Sequence, residues 1–320
     1  MIIDLILVVL GLAVLLIGGD LLVRGAVGRA TAAKVPTLLV SLTIIAFGTS
    51  APELVVSVTS VLSHQPGIAL GNIIGSNIAN VFLVLGLPAL IYPMSAHVDG
   101  LRRHALFMMA ATVGFAAIAY GRGGLDPITG AALFGGIILY VGLLAIFARG
   151  GKAHDPVVDE VAEYNDGSRD KFGTTLLYLI AGLIGLPAGA HLLVTSGASL
   201  ASALGVREEL IGLTIVAFGT SLPELATVLV AAFRKKSDVA IGNVVGSNIF
   251  NLLAVGGAAG LAGGAPITGP ALKLDLPVMI ASAVILAFFI FAKRDIRRMT
   301  GIVFFAAYVA FIAAISLSAG

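Results

Sequence analysis

The chain contains no cysteine and very little charge. Without Cys among its 320 residues it can form neither disulfides nor thiolate metal sites, and thiols say nothing of its redox compartment. Asp, Glu, Lys and Arg make up 11% of the residues, against roughly 25% in a soluble globular domain. An ordinary water-facing surface is thereby excluded. There is no HExxH motif and no pair of intramembrane aspartates, so metalloprotease and aspartyl chemistry have no carriers. Gly197-Ala-Ser199 and His191 could suggest a nucleophile and a base, but they share one segment near its end. No enzymatic activity is expected. The first apolar run lacks a basic region ahead of it, so it reads as a span rather than a cleavable signal.

What is present is apolar: 58% hydrophobic residues, a mean hydropathy of +1.07 and 40 glycines, which let helices approach closely in a bilayer. A hydrocarbon core about 30 Å thick needs about 20 residues per helix. Ten stretches qualify, at 2–23, 36–63, 67–93, 104–121, 125–148, 172–199, 206–233, 239–262, 274–292 and 299–319. An acidic linker, 149–171, holds six of the 17 carboxylates and separates a first five-helix unit, 1–148, from a second, 172–320. Of the 19 Lys and Arg, 16 fall in the loops after odd-numbered spans. Cytoplasmic loops collect such residues, which places the linker inside and both termini outside.

The two units repeat one another. TIIAFGTSAPEL from Thr43 recurs as TIVAFGTSLPEL from Thr214, and GNIIGSNIAN from Gly71 recurs as GNVVGSNIFN from Gly242. The offset is 171 throughout, and residues 43–87 match 214–258 at 20 of 45 positions. Copies five spans apart cross the membrane in opposite directions. The sequence therefore predicts an all-α polytopic membrane protein of ten transmembrane helices in two inverted-topology repeats. Secondary transporters are built this way, with the substrate at the midplane.

Only Glu53 and Glu224 lie well inside predicted spans, at equivalent repeat positions. A charge at the bilayer centre costs roughly 2.5–3.5 kcal/mol on insertion scales, and a bound cation would compensate it. Gly48 with Pro52, and Gly219 with Pro223, weaken the helix just ahead of each Glu. An opened helix would release carbonyls, those of Ala46, Thr49, Ala217 and Thr220 among them. The hydroxyls of Thr49, Ser50, Thr220 and Ser221 stand one turn away. In the second motif Ser76 and Asn80, like Ser247 and Asn251, share a helix face and are expected to look at the ions; Asn72 and Asn243 read equally as ligands or as helix-to-helix bonds. Such oxygens suit Ca²⁺, Na⁺ or Mg²⁺. Asp20 and His191 are repeat mates near span ends and read as interfacial polar residues.

At these motifs the sequence resembles the sodium/calcium exchanger branch of the calcium/cation antiporters, in a minimal prokaryotic form. The resemblance covers both repeats. It implies alternating access, with spans two, three, seven and eight around the ions and spans one and six sliding past them. By matching positions, Glu53 and Glu224 would bind Ca²⁺ with the Thr49 and Thr220 carbonyls. Ser50, Ser76, Ser221 and Ser247, with the carbonyls of Ala46 and Ala217, would complete Na⁺ sites. Asn251 stands where potassium-dependent relatives carry Asp, which implies no potassium requirement and two formal charges in the pocket. The expected function is Na⁺/Ca²⁺ exchange across the prokaryotic cell membrane, with exchange of Ca²⁺ or another divalent for H⁺ as the alternative. Beyond the transported ions and the bilayer no cofactor, nucleic acid or obligatory protein partner is expected. The linker carboxylates (Asp155, Asp159, Glu160, Glu163, Asp166 and Asp170) lack EF-hand spacing and read as a solvated connection.

Overall fold

A computed structural model describes residues 2–33, 41–149, 172–203, 217–267 and 271–318. The acidic linker and the first residues of the second and seventh predicted spans lie outside the described residues. Helix α1 is Ile2–Ala33, running past its expected end at residue 23. A π-helical turn, Ser41–Ile45, leads into α2 (Ala46–Thr49), and α3 is Ala51–Leu62. Then come α4 (Pro66–Ala79), a second π-turn at Asn80–Leu85, and α5 (Gly86–Ile91). Helices α6 (Leu101–Arg122) and α7 (Pro127–Arg149) close the first unit.

The second unit follows the same order. It comprises α8 (Phe172–Ala203), α9 (Ala217–Thr220), α10 (Leu222–Phe233) and α11 (Ser237–Phe250). A π-turn at Asn251–Val255, α12 (Gly256–Leu261), a π-turn at Ala271–Asp275, α13 (Leu276–Phe291) and α14 (Arg298–Ser318) complete it. Among the described residues eight helices are long and apolar enough to cross a membrane, or nine if the bent pair Thr43–Thr49 and Ala51–Leu62 is one span; Leu222–Phe233 is a shorter apolar helix.

Contacts obey the 171 offset as well as the sequence does. The bridge Met94↔Ile296 is the repeat mate of the pair Leu125↔Ala265 in the short sheet of β1 (Gly124–Leu125) and β2 (Ala265–Pro266). Helices α5 and α14 pack together, and so do their mates α12 and α7. The longest contact joins α1 to α8, which run antiparallel. Leu15 meets Gly189, Gly18 meets Leu186, Leu22 meets Gly182 and Gly25 meets Leu179. Lipid tails give no hydrophobic drive between spans, so close packing across small residues holds such a pair. Within Pro66–Ile91 and Ser237–Leu261, 83% and 89% of the residues of an 18-residue apolar window are buried in the protein, far more than in the other long spans, so these two form its centre.

Repeat symmetry fails at one helix start. Asp126 caps α7: its carboxylate accepts the Thr129 amide at 2.7 Å while the Thr129 hydroxyl accepts the Asp126 amide at 2.8 Å. The mate of Asp126 is Arg297. The Thr129 amide holds the Asp126 carboxyl below the usual aspartate range, with help from the Thr129 hydroxyl and Arg122. This stabilisation is present above the ordinary aspartate value and is lost as pH falls through the lowered one. Asp126→Ala should lower the thermal midpoint at pH 7, and the deficit should shrink as acid protonates Asp126 in the parent. A deficit that is unchanged down to pH 2 would show that the cap contributes nothing.

Candidate cation site

The chain makes the site by interrupting two helices at the same place. Ser50, with φ −88° and ψ 5°, separates α2 from α3, and Ser221, with φ −86° and ψ 1°, separates α9 from α10. Pro52 and Pro223 sit in the first turns of α3 and α10, where a missing amide costs nothing. The chain bends by 46° at the first of these breaks. Glu53 and Glu224 thereby fall in N-terminal turns, where free amides and the helix dipole favour negative charge.

Both carboxylates are buried within the protein, with Glu53 1% and Glu224 0% exposed. Ser50 donates to Glu224 Oε1 at 2.8 Å, whereas Glu224 Oε2 and both oxygens of Glu53 have no partner. Around them Asn77 Oδ1, Asn80 Oδ1, Ser221 Oγ, Ser247 Oγ and both polar atoms of the Asn251 amide are buried without partners. Ser247 faces the Glu224 carboxylate without completing a hydrogen bond. Buried polar groups are almost always paired, and a buried unpaired carboxylate costs several kcal/mol. Unpaired buried oxygens beside two carboxylates make this a candidate cation site. Among the described residues no group of three His, Cys, Asp or Glu could hold a metal, so the remaining ligands must be neutral oxygens.

Thr49, Ser50, Glu53, Ser76, Asn80, Thr220, Ser221, Glu224, Ser247 and Asn251 lie on the broken helices and on α4 and α11 with their π-turns, elements that pack against one another; apart from Thr220, which is part-buried, all are buried. Ala46 and Ala217 begin the short helices α2 and α9. One expectation fails. The Ala46 carbonyl is not released by the break, but accepts the Ser50 amide at 3.0 Å and the Thr49 hydroxyl at 3.3 Å. The amide that Pro52 lacks would have reached Gly48 instead.

Asn72 resolves the two readings of its position. Its amide nitrogen donates to the Glu53 carbonyl at 3.0 Å and to Ser57 at 2.9 Å, and its oxygen accepts the Thr220 hydroxyl at 3.2 Å. Thr49 makes the mate contact to Asn243 Oδ1, at 3.5 Å. Each Asn therefore ties one repeat to the other; Asn72 occupies the Thr220 hydroxyl, whereas the Thr49 hydroxyl is shared between Asn243 and the Ala46 carbonyl. Asn80 donates to Asn248 Oδ1 at 3.0 Å, another bond between repeats. The π-turns that begin at Asn80 and Asn251 have no signal in composition, although widened turns of this kind gather at functional sites. Asn77, also unlisted among the expected ligands, was legible only as a matched residue of the second motif. Asp20 is not merely interfacial: it is ion-paired to Arg24 and Arg234.

The model of the family described as sodium/calcium exchanger protein matches residues 3–147 and 174–317. The chain belongs to the sodium/calcium exchanger family. The family match omits the acidic linker and takes in every residue of the site. An uncharacterized membrane protein of Methanocaldococcus jannaschii, MJ0091, is 37% identical over 309 residues, 96% of each chain. The sodium/calcium exchanger MaX1 of Methanosarcina acetivorans is 31% identical over 97% of each chain. Among solved structures, the sodium-calcium exchanger NCX_Mj soaked with 2.5 mM Na⁺ and 0.1 mM Ca²⁺ superposes with a TM-score of 0.82 at 34% identity, over 98% of both chains. This exchanger-family chain is thus a mostly helical, multi-pass membrane protein of a transporter family.

Proposed function

We propose that the protein is a secondary antiporter that exchanges Na⁺ for Ca²⁺ by alternating access, at a midplane site between two inverted repeats of five transmembrane helices. The observation that carries the reading is the meeting of Glu53 and Glu224, one from each repeat, among buried oxygens that lack partners. Antiparallel packing of α1 on α8, and the pairing of Thr49 with Asn243 and of Thr220 with Asn72 across the 171 offset, support the inversion. Eight long helices, the bent pair and α10 with its preceding residues support ten spans. The Lys and Arg bias of alternate loops supports termini outside the plasma membrane of a prokaryotic cell. MaX1 and NCX_Mj, both sodium/calcium exchangers by name, point to the ions.

Two carboxylates neutralise one Ca²⁺, which takes six to eight oxygens; the Thr49 and Thr220 carbonyls complete that site. Na⁺ of similar size uses the same carboxylates with Ser50, Ser76, Ser221, Ser247, Asn80, Asn251 and the carbonyls of Ala46 and Ala217. Ala46 takes part only once the Thr49 hydroxyl releases its carbonyl. Exchange becomes obligatory for an electrostatic reason. An unloaded site would carry two charges past the apolar face of α1 and α8, at roughly 2.5–3.5 kcal/mol each or more. Loaded with either ion, it moves at far lower cost.

Vesicles bearing the purified protein test the coupling. An outward Na⁺ gradient should drive uptake of radiolabelled Ca²⁺, and a pH gradient without Na⁺ should not. Uptake driven by the pH gradient alone would replace Na⁺ by H⁺ as the coupling ion. Thr49→Val and Thr220→Val should each retain Ca²⁺ uptake to within about tenfold, because the hydroxyls are engaged with Asn rather than the ion; complete loss in both would make the hydroxyls ligands.

A further inference from the structure

The repeats carry matching residue types at the candidate ion site but not at the helix pair proposed to slide past it. Helix α1 lies along α10, whereas among the described residues the mate pair, α8 with α3, has no comparable contact. Two neighbouring residues of α1 make the difference. A Cβ at Gly19 would stand 3.2 Å from the carbonyl carbon and oxygen of Ala226 and 3.4 Å from the Thr227 amide, so a side chain there would press the two helices apart by a few tenths of an ångström. The mate of Gly19 is Ala190, which already has that atom. Beside it, Asp20 Oδ1 accepts Arg234 Nε at 2.8 Å and also pairs with the Nη2 of Arg234, while Arg24 Nε holds Oδ2 at 2.7 Å. Arg234 is the C-cap of α10. The mates of Asp20 and Arg234 are His191 and Ser63, which form no such pair of opposite charges.

The hydrogen bonds of the site show the same asymmetry. Ser50 bonds Glu224, but its mate Ser221 and both Glu53 oxygens are unpartnered. Asn80 bonds Asn248, but the mate groups, the Asn251 amide nitrogen and Asn77 Oδ1, are unpartnered. The molecule is therefore in one of two conformations that the repeats would otherwise make equivalent.

We infer that Asp20 and Arg234 are positioning residues of the exchange cycle: with Gly19 they lock α1 onto α10 and so set which face of the membrane the ion site is closed to. Both side chains are 30% exposed, partly withdrawn from water yet able to separate. When α1 and α8 slide, the Arg234 pair must break, and nothing of like charge forms at Ser63 and His191. The lock thus tilts the two-state equilibrium towards closure on the Arg234 face. A state bias changes apparent affinity on the two faces in opposite senses, and leaves the intrinsic chemistry of the ion site untouched.

The inference rests on the exchange reading, so its test includes a readout that does not depend on the coupling ion. Because the chain has no cysteine, Thr227→Cys, beneath the Gly19 contact, gives a single thiol. Full-length protein in oriented vesicles is labelled with a membrane-impermeant maleimide from the Arg234 face. Asp20→Asn and Arg234→Gln should each raise the labelling rate about threefold, the scale of one partly exposed ion pair, and the double variant should go no further than either single. Installing the mate pair with His191→Asp and Ser63→Arg stabilises the other conformation and should also raise it. Half-saturating Ca²⁺ should fall on the Arg234 face and rise on the other. Labelling unchanged in every variant, equal shifts of Ca²⁺ affinity on both faces, or additive single effects would each overturn the lock. If labelling responds while Na⁺-driven Ca²⁺ flux is absent from the parent, the exchange reading falls and the lock stands.

Discussion

Replacing Glu53 or Glu224 by Gln should reduce Na⁺-driven Ca²⁺ uptake by at least about 100-fold, with the protein still folded. The carboxylates are within 1% of complete burial, and three of their four oxygens have no protein partner. Gln keeps the shape and one acceptor but removes the charge that a divalent ion requires. Truncating one partner of a buried charge pair costs about 2–5 kcal/mol, and each 1.4 kcal/mol is tenfold. Folding should not suffer, because Gln is close to Glu in shape and an uncharged amide costs less to bury than a carboxylate. The measurement is a paired one, Ca²⁺ uptake into Na⁺-loaded vesicles and thermal unfolding in detergent without Ca²⁺. Undiminished uptake in either variant would remove that carboxylate from the site, whatever the unfolding curve showed.

Gly25→Ala and Gly182→Ala should each impair the protein through the α1–α8 contact. A Cβ at Gly25 would lie 2.5 Å from the Leu179 amide nitrogen, and one at Gly182 would lie 2.6 Å from that of Leu22. The obstructing atoms are backbone on both sides, so no rotamer change relieves them and the helices must part. Overpacking of this kind costs typically 1–3 kcal/mol, occasionally more. Here the separation also removes the close packing that holds two spans together in lipid. A lower thermal midpoint and at least about tenfold slower exchange are expected. Gly142→Ala is the control: a Cβ there meets nothing within 4 Å, and Ala is the better helix former. If all three variants behave alike, helix propensity rather than the α1–α8 contact governs the outcome.

Much of the candidate site was legible in the sequence alone. Glu53 and Glu224 stood out because ionisable residues inside apolar spans are rare, and the 171 offset made them mates rather than accidents. The helix breaks were legible too, since Pro52 and Pro223 cannot donate and Gly48 and Gly219 cannot stiffen the turn. Their location at Ser50 and Ser221 was not, because it depends on which carbonyl finds another donor. For Ala46 that donor is the Ser50 amide, and the expectation of a free carbonyl failed for this reason. The π-turns at Asn80 and Asn251 left no trace in the residue pattern: a single extra residue in a turn changes packing, not periodicity. The length of α1 was underestimated because Arg24 and Arg29 read as loop, and a charged residue ends a hydropathy window without ending a helix.

The sequence by itself determined what repeats and which residues carry charge into the apolar interior, and it is from these that a cation is proposed as their partner. These are local and compositional facts, and the cost of a charge in hydrocarbon does not depend on knowing the fold. Only the tertiary structure decided how the two copies meet and where they differ. It set Ser50 against Glu224 while leaving Ser221 and Glu53 without partners, and it set Asp20 against Arg234 where the mates are His191 and Ser63. The reason is physical. A duplicated sequence specifies two equivalent conformations, and a chain in one of them must break its own symmetry through contacts between residues 174 or 214 positions apart.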